Sequence, residues 1–313
     1  MHDPATRLAP QGVASTAALR RAILLALIYA DIFENPLARS ELHRYLIGRA
    51  ASAAAVASAL DEDPVLRSEV RHTGDWVYLA GRDHLVEVRR ARNAASARLW
   101  QQAERYGAVV ERLPFVRMVA ITGALAVNNA RADDDIDLFI LAQPGRLWMC
   151  RLLVLAVVKL AARYGTELCP NFLLSTDHLQ LTAHNLYVAH EVAQLVPLSR
   201  GPWYGAFLEA NAWVEGMLPN ALPRTRRVEA AVRAPWAGRI GGGILSMRVF
   251  DPVERWEMDR KVRRLRARLE REGGDTAFSA HVCRGHFATH DVRILNAYRM
   301  RCATYREALD GLS

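Results

Sequence analysis

The segment from Met118 to Leu141 restricts what this chain can fold into more than any other. It reads as an apolar run (Met118 to Ile121), a Thr122-Gly123 turn, a helix-compatible stretch, and a second apolar run carrying Asp135 and Asp137. Side chains along a strand alternate between faces, so Asp135 and Asp137 are expected to share one side while Ile136 and Leu138 enter a core. Two carboxylates held that close do not both stay ionised without a compensating cation. Magnesium suits them, because it takes hard oxygen ligands and is often bound through one or two carboxylates plus substrate phosphates. An acidic triplet such as Asp133-Asp134-Asp135 is by itself a common solvated loop. Chemical meaning comes from the order of parts: strand, glycine turn, helix, acidic pair, strand.

That order resembles the nucleotidyltransferase superfamily typified by DNA polymerase beta and kanamycin nucleotidyltransferase. The resemblance covers roughly residues 108 to 180, and Asp135-Ile136-Asp137-Leu138 is its most specific part. The stretches 122–129, 169–172 and 29–37 are also similar to a group of uncharacterised bacterial nucleotidyltransferase-domain proteins. The resemblance implies Mg²⁺ on Asp135 and Asp137 and a nucleoside triphosphate as substrate. It implies transfer of the nucleoside monophosphate to a hydroxyl or phosphate acceptor. Gly123 and Ala124 would seat the terminal phosphates by close backbone approach. Asn128 and Asn129 would contact sugar or phosphate. A third carboxylate on a neighbouring strand would take the acceptor's proton; the chain offers Asp177, with Glu167 behind it. One departure stands out: the superfamily commonly has Ser after the turn glycine, and here the position is Ala124.

The rest of the chain reads as α+β: a small mixed-sheet core with an N-terminal winged helix and a helical C-terminal region. Residues 1–15, with Pro4, Pro10 and Gly12, are expected to form a loose tail. Residues 16–82 carry the winged-helix pattern. It comprises a helix over 19–32, a turn at Asn35-Pro36-Leu37, a helix over 41–47 capped by Ser40, and an Ala-rich helix with Val56 and Leu60 on one face. A hairpin of Val65-Leu66-Arg67 and Trp76 to Leu79 around Thr73-Gly74-Asp75 closes it. Its Ala50–Leu60 segment offers Ala and Ser instead of the Arg, Lys, Asn or Gln that read bases, which favours packing or partner binding over specific DNA recognition.

Residues 83–107 form a linker helix, with Leu85, Val88, Ala91, Ala95, Leu99 and Ala103 inward and Arg89, Arg90, Arg92, Arg98 and Arg105 toward solvent. The core spans 108–200: strands 116–121, 135–141 and 169–175, and helices 124–129, 145–164 and 186–194. Residues 201–313 form a basic helical region. It holds an aromatic helix over 203–218, a break at Gly241-Gly242-Gly243 and a long charged helix over 252–271.

The formal charge of +8 favours polyanionic partners: nucleotides, or nucleic acid contacted through the basic C-terminal region or the winged helix. Cys150, Cys169, Cys283 and Cys302 lack metal-finger spacing and read as reduced thiols. No signal peptide and no span of sufficient apolar length are visible, so a cytoplasmic protein without membrane contact is expected. His281, His286 and His290 have no ligand spacing and read as polar loop or capping residues. A rival reading remains: a transferase fold without activity, acting as a regulator that binds DNA or a protein through its winged helix.

Overall fold

A computed structural model describes residues 11–222, 251–272, 279–284 and 289–310. Its contacts divide the chain into two units. One holds Met1–Arg89, Trp213–Leu222 and Ile294–Ser313; the other holds Arg90–Ala212 and Pro223–Arg293. Each combines helices with sheet, so the chain is α+β. The segment 201–313 is thus divided between the units. No helix among the described residues is long and apolar enough to cross a membrane. Gly241 to Gly243 and His286 lie outside the described residues.

The first unit opens with α1 (Gln11–Asp31), which starts inside the stretch expected to be loose. It continues through β1 (Leu37–Ala38), α2 (Arg39–Arg44), α3 (Ala53–Glu62), α4 (Pro64–Glu69), β2 (Val70–Thr73) and β3 (Trp76–Leu79). The three strands form an antiparallel sheet in the order β1-β3-β2, with Leu37 opposite Val77 and Val70 opposite Leu79.

Two local expectations are corrected here. Ser40 lies inside α2 instead of capping it, and the Glu41 carboxylate accepts the Ala38 N–H at 2.8 Å. Val65 and Leu66 belong to a helix and not to the hairpin. Asp63 accepts the N–H groups of Val65 and Leu66 at 3.0 and 3.1 Å, and Pro64 fills the first helical position. Such a cap stabilises a helix by about 1 kcal/mol, enough to override a short apolar run's strand preference. Ile23, Leu24, Leu27 and Ile28 of α1 pack with Leu42, Leu66 and Val77, and with Ala308 and Leu309 from the far end of the chain.

The solvated arginine face expected on α5 (Leu85–Glu111) is also corrected. Arg89 is buried, hydrogen-bonds Asn35 and, at 2.9 Å, Glu41, and lies 4.8 Å from the Trp76 ring centre. Arg92 is buried and donates to Asn129 at 3.2 Å, while Ala91 is exposed. Burying a guanidinium is costly unless it is paired; Glu41 faces the charge of Arg89, and Asn129 accepts one N–H of Arg92.

The second unit is a five-stranded mixed sheet with helices on both faces. Its elements are β4 (Val116–Ile121), α6 (Gly123–Ala126), β5 (Ile136–Ala142), α7 (Leu147–Arg163), β6 (Leu168–Ser175), α8 (Leu186–Gln194), β7 (Val196–Pro197), α9 (Trp203–Ala210), α10 (Asp251–Glu272) and β8 (Val282–Arg284). The strand order is β7-β4-β5-β6-β8. Among the described strands only β5 and β6 run parallel, and α7 is the crossover that a parallel pair needs.

The expected helix over 124–129 is shorter, because Asn128 turns to a φ of 53°. The expected helix over 203–218 stops at Ala210 and resumes as a 3-10 turn, Ala212–Gly216. One sheet face, including Val119, Ile121, Ile136, Leu138, Ile140 and Leu173, packs against Leu99 and Ala103 of α5 and Trp148 and Val154 of α7. Alternation sends the remaining side chains to the opposite face, where the candidate site forms.

Candidate active site

The pairing of β4 with β5 places Ile121 opposite Leu138, so the next residue, Thr122, falls beside Asp137. The Thr122 N–H donates to the Asp137 carbonyl at 3.1 Å. Gly123 follows with φ +69°, and a Cβ built on it would collide with the Asp137 carboxylate. Glycine is therefore required twice at this position, by backbone and by space.

Asp137 is half-buried on β5, and Asp135 is exposed immediately before the strand. Cys169 sits opposite Asp137 across the parallel β5–β6 pairing. Ligand atoms of Asp135, Asp137 and Cys169 lie within 4.8 Å of one another. The Cys169 thiol is pushed up to about 12, first by burial, then by the negative fields of Asp137 and Asp135 and hydrogen bonds to both. It therefore stays protonated at neutral pH and acts as a donor between two acceptors. The two carboxylates fit a hard cation; a protonated thiol adds nothing to its ligand set.

The other expected residues are placed as follows. Ala124 opens α6 beside Gly123. Asn128 is exposed, and its carboxamide oxygen accepts the Trp100 indole N–H at 2.8 Å. Asn129 is buried between Arg92 and a backbone bond from its own N–H to the Ala124 carbonyl at 2.9 Å. Both asparagines hold the loop that delivers the acidic pair. Glu167 is exposed at the acidic end, where its carbonyl accepts the Ile136 N–H at 2.9 Å.

Asp177 is not brought to the pair. The register runs from Asp137 opposite Cys169 to Ala142 opposite Ser175, and Thr176 donates to the Ala142 carbonyl at 3.0 Å. At about 3.3 Å per residue that is roughly 20 Å along the strand. Asp177 instead neighbours His178 and His281.

A further carboxylate, Glu191 on α8, is held by Thr122, the residue beside Asp137. Asn185 caps that helix through the Val188 N–H at 2.9 Å, and the Thr122 hydroxyl donates to Glu191 at 2.9 Å. Sequence reading gave α8 its bounds but no role to Glu191. Only its four-residue spacing from Tyr187, which puts both on one helix face, hinted at a shared site.

Tyr187 and Glu191 line a cavity of about 200 Å³ against the sheet face. Phe139, Phe172 and Phe207 form its walls, with Phe139 at 5.3 Å from Phe172 and 4.9 Å from Phe207. Phe207, from the aromatic helix α9, thus shapes a binding surface as well as the core. Thr122, Asn171 and Arg284 supply further polar groups, and Thr122 joins the cavity to the acidic cluster. Burial raises the Tyr187 hydroxyl, Glu191 raises it further, and Arg284 opposes, so it remains a donor at neutral pH. Aromatic walls with a few convergent polar groups suit a flat, partly polar ligand. The chain matches no protein-family model, no curated protein and no solved structure.

Proposed function

We propose that the second unit is a Mg²⁺-dependent nucleotidyltransferase that moves a nucleoside monophosphate from a nucleoside triphosphate to a hydroxyl or phosphate acceptor. The observation that carries this reading is Gly123 backed against the Asp137 carboxylate, with Asp135 beside it and an aromatic cavity next door. Asp135 and Asp137 would hold Mg²⁺, which when bound supplies neutralisation of triphosphate charge. The bare backbone at Gly123 leaves phosphate oxygens room to approach. Arg284 adds a positive charge to the cavity, and Phe139, Phe172 and Tyr187 offer faces for a base. Glu191, tied to Thr122, takes the proton-accepting role first expected of Asp177.

The first unit's order of helices, with an antiparallel hairpin closing it, supports the winged-helix reading. Cys150 and Cys283 are buried free thiols, which goes with a reducing, cytoplasmic setting.

Calorimetry with ATP, GTP, CTP and UTP, each with and without Mg²⁺, tests the proposal. At least one triphosphate should bind only with Mg²⁺, and Asp135→Asn with Asp137→Asn should abolish binding while circular dichroism stays unchanged. No binding of any triphosphate would sink it. Ala124 and the distant Asp177 favour the second reading, an inactive transferase fold with a regulatory role. Duplex binding that weakens steeply with salt, in the absence of nucleotide binding, would support that one.

A further inference from the structure

A second ligand cluster forms at the opposite end of β6. Ser175 ends the strand, its N–H bonds to the His281 carbonyl at 2.8 Å, and His178 closes a turn back onto the Ser175 carbonyl at 2.9 Å. Antiparallel pairing of Leu174 with Val282 fixes His281 beside that turn. The result is that Asp177, His178 and His281 place one ligand atom each within 4.8 Å of one another. Asp177 Oδ1 lies 3.1 Å from His178 Nδ1 and 3.5 Å from His281 Nδ1.

We infer that Asp177, His178 and His281 form a binding site for a borderline divalent transition metal, of which Zn²⁺ is the representative. Two imidazoles and a carboxylate are the donor set such ions select, whereas Mg²⁺ and Ca²⁺ select oxygen alone. Zinc bonds to nitrogen and oxygen are about 2.0–2.2 Å, and a tetrahedron of that size separates its ligand atoms by about 3.4 Å. The Asp177–His178 and Asp177–His281 separations bracket that value. His178 and His281 now stack with ring centres 3.6 Å apart and planes 20° apart. A ring nitrogen coordinates in its own ring plane, so one imidazole turns about its Cβ–Cγ bond when the metal enters. Asp177 and His178 are exposed, which opens a path for the ion.

Three protein ligands leave a fourth position for water or an outside ligand. The site also has a structural consequence. Gln180 to Ala183 follow His178, and Val282 follows His281; all of these line the cavity. A metal here would clip the loop after β6 to β8 and stiffen that cavity wall. It would do so independently of nucleotide or Mg²⁺ at the acidic pair.

The test uses the full chain, stripped of metal and titrated with Zn²⁺, then with Co²⁺ as a spectroscopic probe. One Zn²⁺ per chain should bind, and Co²⁺ should give the strong visible absorption of a tetrahedral nitrogen–oxygen site without a sulfur charge-transfer band. Loss of an outer-shell partner costs roughly 10–100-fold in affinity, and His178→Ala and His281→Ala should each cost more than that. Asp177→Asn should weaken binding as well, and Cys169→Ser should leave it intact. Zn²⁺ uptake by both histidine variants to the wild-type extent, loss of uptake in Cys169→Ser, or no uptake by the wild type would each overturn the assignment. If a histidine variant fails to fold by circular dichroism, the wild-type Co²⁺ spectrum and Asp177→Asn decide.

Discussion

Gly123 and Cys169 flank Asp137 from two sides, one by leaving space and the other by lending a proton. Alanine at position 123 would hold a left-handed backbone at a cost of about 1–2 kcal/mol. Its methyl would also push Asp137 from its place. Urea unfolding should therefore show Gly123→Ala destabilised by at least that amount; unchanged stability would mean that the carboxylate moves freely. Cys169 gives a pH signature. Its folded thiol is raised from 9.0 to about 12, so the stability linked to it is intact below pH 9 and declines as pH rises toward 12. Removing one negative neighbour favours the thiolate, and each unit of lowered pKa raises its fraction tenfold. Peptide-resolved iodoacetamide labelling at mildly alkaline pH should thus be roughly tenfold faster at Cys169 in Asp137→Asn. An equal or slower rate would show that the thiol and the carboxylates are not coupled.

At the scale of elements, α10 is the clearest case of charge used for packing. Its composition suggests a solvated helix, yet it lies on α7, with Met258 and Val262 against the core and Glu257 buried near Arg260 and Arg151. Glu254 accepts the N–H groups of Trp148 and Met149 at 2.7 Å each, so one helix caps the start of another. Burial raises the Glu254 carboxyl, and those two bonds and Arg146 work against the shift. Glu254→Gln keeps an acceptor but loses the charge at a helix N-terminus, at a cost of about 1–2 kcal/mol. Thermal unfolding should register that loss, and hydrogen exchange should quicken at Trp148 and Met149 first. No change at these amides would reject the capping role.

For the whole molecule, the discontinuity of the first unit is decisive. Ala308 and Leu309 belong to its buried core, Arg301 reaches the buried Asp31 at 2.9 Å, and the Tyr298 and Tyr29 ring centres are 5.7 Å apart. Asp31 also holds Arg82 at 3.0 Å. Truncation after residue 293 would strip apolar cover from α1 and leave Asp31 with one cation fewer. The loss falls mainly on the apolar side: burying a Leu side chain contributes about 1.5–3 kcal/mol, a sizeable share of the stability of a small unit. The truncated chain should lose protease resistance within residues 16–89 at temperatures that the full chain tolerates. Equal resistance would show that this unit stands without its C-terminal segment.

Alternation of apolar and polar residues over 116–141 made the two central strands, the glycine turn and the inward side of Ile136 and Leu138 legible, because strand periodicity is local chemistry. Helix α8 and the long helix α7 were readable for the same reason. Strand register and the crossover were not readable, since they depend on partners tens of residues away. Those features carried Asp177 to the far end of β6, brought Glu191 to Thr122, and set His281 beside His178 across about a hundred residues of chain. Burial of Arg89 and Arg92 was likewise decided by Glu41, Asn35 and Asn129, whose positions a helical pattern does not contain. Periodicity told which way side chains face; only the packed sheet determined what they face.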